Sequence, residues 1–118
     1  MKQFLAIYTG SIAAHERSGW DQLSEADRAQ RMKDGIAAWQ AWGEKHKQAI
    51  VWNGGPLGKT KRTGPAGVSD IKNAMAGYII VQAESHEAAA KMFEGHPHFT
   101  LFPGEAIEVM ECLPVPQG

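Results

Sequence analysis

Two stretches of this chain are apolar on both faces of an extended backbone, and that limits the possible folds more than any other feature. In Gln3–Thr9, Phe4, Ala6 and Tyr8 alternate with Leu5 and Ile7; in Tyr78–Ala83, Ile79, Val81 and Ala83 alternate with Tyr78 and Ile80. Successive side chains of a strand point to opposite faces, so a strand apolar on both must be covered on both. Helices from the same chain can cover one side of such a sheet. A second sheet is the natural cover for the other, and a homodimer is therefore expected.

Between these strands the periodicity changes. Ser24 is placed to cap free backbone N–H groups, Glu25 and Asp27 suit the positive end of a helix dipole, and Ala29, Met32, Ile36, Trp39 and Gly43 recur at helical spacing. This spacing predicts a helix from about Ser24 to Lys47 with that stripe inward and Trp42 off it. Gly10–Gly19 reads as a polar loop. Ala49–Trp52 reads as a short strand running into the Gly54–Gly58 turn, and Lys59–Thr63 as a return strand before Gly64-Pro65-Ala66-Gly67 turns the chain again. Ser85 caps a second helix over His86–Phe93, Gly95–Gly104 reads as a loop, and Ala106–Leu113 closes the sheet before Pro114 and Pro116. Two β-α-β units of these lengths predict an α+β, ferredoxin-like βαβ(β)βαβ domain spanning residues 1–118, with an antiparallel sheet and both helices on one face.

Composition narrows the partners. The 118 residues carry 12 basic and 13 acidic side chains, a formal charge of −1, so no basic patch points to nucleic acid or an anionic membrane. Cys112 is the single cysteine, which suits a reducing, cytoplasmic location, and as the end of an apolar strand it is expected to be a core thiol. No apolar run approaches the roughly 20 residues needed to cross a bilayer. Thr9-Gly10-Ser11 interrupts the first apolar run, which favours a strand over a secretory leader.

The chemistry concentrates in His96-Pro97-His98. Imidazole exchanges protons near neutral pH without a cofactor, and Pro97 stiffens the backbone of the pair. Either His96 or His98 is a candidate general base, with Asp70 or Glu84 to orient it. Trp52 and Tyr78 are candidates to line an apolar pocket, and Arg62 with Lys59 and Lys61 to meet a substrate carboxylate. No third ligand stands at a diagnostic spacing and HExxH is absent, so neither metal nor cofactor is expected. Asn53–Thr60, NGGPLGKT, has Asn where a phosphate-binding loop needs its first Gly and reads as a turn. Non-catalytic ligand binding or regulation by the same pocket, and metal binding, are the alternatives to catalysis.

The order Gly64-Pro65, then Ala76 through Ser85, His86-Glu87-Ala88-Ala89, His96-Pro97-His98 and Ile107-Glu108-Val109-Met110 resembles the YCII-related (DGPF-type) family over nearly the whole chain. That resemblance implies a ferredoxin-like subunit pairing into a dimeric α/β barrel. It also implies kinship with small-molecule enzymes, among them dehydrochlorinases of chlorinated hydroquinones that use a His/Asp pair. The acidic member of that pair precedes a proline, and His96 occupies the position here. Thr63-Gly64-Pro65-Ala66 likewise replaces the Asp-Gly-Pro-Phe of the namesake subgroup.

Overall fold

The computed structural model describes residues 1–117. Strand β1 (Lys2–Thr9) lies in the middle of a four-stranded antiparallel sheet, between β5 (Met75–Ala83) and β6 (Ala106–Glu111), and β2 (Ile50–Pro56) flanks β5 in the order β2-β5-β1-β6. Helix α2 (Glu25–Lys45) carries the chain from β1 past β5 to β2, and α3 (His86–Lys91) carries it from β5 past β1 to β6. These two interleaved crossovers make the domain α+β and ferredoxin-like, as the strand and helix order predicts.

The main core cluster lies on one face, while Ile7 is buried on the other. Phe4, Ala6 and Tyr8 of β1 stand beside Val81, Ile79 and Gly77 of β5, and this row joins Ala83, Ala89, Phe93 and Trp42 in a single core. Phe4, Val81 and Ala89 are wholly buried there. The opposite face carries Leu5, Ile7, Tyr78, Ile80, Met110 and Trp52, none of which belongs to that core. The two-sided pattern of the strands therefore meets a helix layer on one side only.

Several local readings need correction. Ile12–Ser18 is a helix, α1, rather than loop: Ser11 accepts the Ala14 N–H at 3.0 Å, and Gly19, at φ 70°, closes it in the left-handed conformation. On α2 the buried positions are Gly35 and Trp42, while Met32 and Ile36 are about half exposed (46% and 49%). The helix is rotated relative to the expected stripe because the Trp42 indole N–H donates to the Met92 carbonyl at 2.9 Å and Phe102 packs directly over Gly35, leaving no space for a Cβ. Cys112 is exposed rather than in the core, since β6 ends at Glu111.

The segment between β2 and β5 also differs. β2 continues through the glycines to Pro56, and Gly54, at φ 59°, faces the Tyr78 backbone so closely that a side chain would overlap it. Beyond it, β3 (Thr60–Gly64) and β4 (Gly67–Ile71) form a separate hairpin, closed at Gly64 and Gly67. Sequence reading anticipates β3 but not β4. Every residue of β4 is exposed, so this hairpin is an arm rather than part of the core. The outline is elongated, 58 × 41 × 19 Å, with a radius of gyration of 16.4 Å, against about 13 Å for a compact domain of this length.

Candidate functional site

A cavity of about 310 Å³ lies between α2 and the core face of the sheet. Its walls are Tyr8, Trp39, Trp42, Ile50 and Ile79, and its rim is formed by Asn53, Gly55, Pro56, Ala76, Gly77 and Tyr78. The space exists because β5 presents Gly77 opposite Tyr8, where a larger residue would fill it. No lining residue is acidic, lysine or arginine, and His98 is the only imidazole among them. Volumes of this size begin the range of small-molecule sites and fit a single-ring compound.

His98 is placed by a short helix, α4 (Pro97–Thr100), within the segment expected to be a loop. Its Nε2 lies 2.7 Å from the Thr9 carbonyl oxygen. A carbonyl can only accept, so Nε2 carries a proton, and in the neutral ring Nδ1 keeps the lone pair. The same Thr9 carbonyl accepts the Glu105 N–H at 2.9 Å, which fills both of its lone pairs. Burial lowers the His98 pKa below the usual 6.5, opposed by the carbonyls of Thr9 and Ala106, which favour the charged ring. The net shift is downward and favours the neutral ring. Gly104 closes the other side: its N–H donates to the His98 carbonyl at 3.0 Å, and a Cβ there would overlap the imidazole.

His96 sits behind the cavity, wholly buried. Its Nδ1 accepts the His98 backbone N–H at 3.0 Å, so its own proton must be on Nε2, which has no hydrogen-bond partner among the described residues. The ring is packed edge to face against Trp39 and Trp42, with centroids 4.5 and 4.9 Å away. Burial, then the charges on His98 and His46, push its pKa down to about 4. Tyr8 lies 5.4 Å from the His96 ring and 5.2 Å from that of His98. Burial pushes its phenol up to about 12, so it remains a protonated hydrogen-bond donor.

The residues singled out in the sequence are distributed unevenly about this cavity. His98 lines it, His96 touches its aromatic wall, and Tyr78 borders it with its side chain on the opposite sheet face. Trp52 is 59% exposed on the uncovered sheet face, where its indole N–H donates to the Tyr78 hydroxyl at 3.2 Å. Asp70 lies on the arm and pairs with Lys61 at 2.7 Å; among the described residues no carboxylate hydrogen-bonds either histidine, and the orienting group is the Thr9 carbonyl. Arg62 is also on the arm, and Glu84 is exposed at the start of the turn into α3. Tyr8 and Trp39 were legible as core but not as cavity wall, and Trp42, read as lying off the inward stripe, is buried in that wall. Among the described residues no three His, Cys, Asp or Glu side chains are grouped to hold a metal, and no helix is long and apolar enough to cross a membrane.

Comparison with known proteins agrees with the ferredoxin-like class of fold. No protein-family model matches the chain, and no curated protein sequence matches it. Among solved structures it is similar to the 5-chloro-2-hydroxyhydroquinone dehydrochlorinase TftG from Burkholderia phenoliruptrix AC1100, determined in complex with 2,5-dihydroxybenzoquinone. The TM-score is 0.52 at 22% identity, over 98% of this chain and 95% of that one.

The buried histidines generate a pH prediction. Their folded pKa values lie below the unfolded value of 6.5, so between about 4 and 6.5 the unfolded chain binds more protons than the folded one. Their contribution to stability is complete above pH 6.5 and falls as pH drops toward 4, by about 3 kcal/mol for the His96 shift. Urea unfolding at pH 7 and pH 5 checks this: the parent loses stability on acidification, and His96→Asn loses less.

Proposed function

We propose that this protein is a cofactor-independent, small-molecule enzyme of the YCII-related type, acting by proton transfer on an uncharged single-ring substrate, as a lyase or isomerase would. The observation that carries this reading is a neutral imidazole, His98, in the wall of an aromatic cavity without a charged group. With Nε2–H committed to the Thr9 carbonyl, the Nδ1 lone pair is the group free to take a proton. The hydrogen-bonded carbonyl holds the ring and favours the imidazolium that forms, as an orienting carboxylate would. Tyr8 supplies a neutral donor for a substrate oxygen, and Trp39 and Trp42 supply faces for stacking on a ring.

Size and absence of charge favour a phenol, hydroquinone or quinone over a carboxylate or phosphate. The ligand named with the structural neighbour is likewise a single-ring quinone. The absence of a carboxylate on either histidine favours the alternative, a non-catalytic ligand-binding or regulatory module. Turnover separates the two. Incubation with substituted hydroxyhydroquinones, followed by proton NMR, is expected to show a product, and His98→Ala should lower the rate by ~10²–10⁴. An equal rate in His98→Ala removes the assignment, and binding without product supports the ligand-binding module.

The assembly proposed with this function is a homodimer. On the face without a helix layer Leu5, Tyr78 and Ile80 are partly exposed, and Trp52 (59%) and Met110 (38%) are exposed beside them, an apolar surface that a second subunit would cover. The arm, a two-stranded hairpin that would be marginal alone in water, also needs something to rest against. Sedimentation at micromolar concentration is expected to give twice the chain mass. A single species at the mass of one chain would contradict it.

A further inference from the structure

The geometry points to His96 as a positioning residue: its Nδ1 caps α4 by accepting the His98 N–H, and this fixes His98 with Nε2–H on the Thr9 carbonyl and Nδ1 without a proton. The inference rests on His98 as the proton-transfer group, and it separates two histidines that the sequence leaves interchangeable.

Helix α4 has only four residues, too few to stabilise itself through its own ladder. It is held by its ends. At the start, the His96 ring does what the side chain of Asn or Asp does at an N-cap, placing an acceptor over the N–H two residues on. At the end, the Leu101 and Phe102 N–H groups both donate to the Pro97 carbonyl, at 3.0 and 2.9 Å. The His98 side chain then has one way to go, across to the last residue of β1.

The cap also dictates protonation. An acceptor at Nδ1 cannot carry a proton, so His96 is confined to the Nε2–H form, and that N–H is enclosed by the rings of Trp39, Trp42 and Tyr8 without an oxygen or nitrogen to receive it. A proton added to His96 would break the cap and put a charge among aromatic rings, beside His98, with His46 also near. Burial, pushing its pKa down to about 4, is consistent with a ring that stays neutral. A group with its lone pair engaged and no exposure has no route to a substrate. Its effect on chemistry passes through His98.

The test needs no substrate. Nitrogen-15 NMR of the two imidazoles reports tautomer and titration directly. In the parent, His98 is expected in the Nε2–H form, titrating below 6.5. His96→Asn keeps an acceptor at the same distance from the backbone but has no ring, and the His98 signals should remain as in the parent. In His96→Ala they should move to a mixture of tautomers with ordinary titration. His98 signals unchanged in a folded His96→Ala protein would overturn the proposal, as would altered signals in His96→Asn. If the alanine variant does not fold, the asparagine variant decides, and failure of that variant to fold also counts against the proposal. The catalytic reading fails differently, with this His98 signature intact and no compound turned over.

Discussion

One carbonyl ties this site together. Thr9 ends the first strand, and its oxygen accepts both the Glu105 N–H, which brings in the last strand, and the His98 Nε2–H, which brings in the short helix before it. A buried imidazole without such a partner would be free to take either tautomer and several rotamers. With it, one nitrogen is committed and the other is defined. The site is thus assembled from residues nearly ninety positions apart, and it depends on β1 and β6 being paired in register with Thr9 opposite Ala106. Gly104 belongs to the same arrangement, because the His98 ring occupies the space its side chain would need.

The cavity follows from uneven packing of one helix layer on one sheet face. Large aromatic rings from α2 and β1 meet a row of glycine, alanine and proline along the β2–β5 edge, and rigid rings cannot collapse into the gap. Such a space stays apolar, excludes charge and keeps both histidines neutral. Electrostatic character here is therefore a product of burial rather than of opposing charges, which is why a carbonyl, and not a carboxylate, suffices to hold His98.

Much of the architecture was legible in the sequence. Alternation in Gln3–Thr9 and Tyr78–Ala83, capping serines at 24 and 85 and the order of elements identify the ferredoxin-like fold, because burial enforces those periods. Helix α1 was missed because Ser11 and Gly19, which start and stop it, also read as loop residues. The buried stripe of α2 was misplaced because Gly35 and Trp42 carry the packing: a glycine contributes no hydrophobic signal, yet it is what lets Phe102 approach. The site was legible only in part. His96-Pro97-His98 was visible as chemistry, but the roles of its two rings depend on a backbone oxygen, and main-chain groups leave no mark in the residue pattern. Tyr8 and Trp39 look like ordinary core residues until the glycines opposite them are placed.

The most direct test of the account is a crystal structure of the protein soaked with a small uncharged phenol such as hydroquinone. The account predicts the ring stacked between Trp39 and Trp42, with an oxygen within hydrogen-bond distance of the His98 imidazole. An empty cavity, with the compound elsewhere on the molecule, would contradict it.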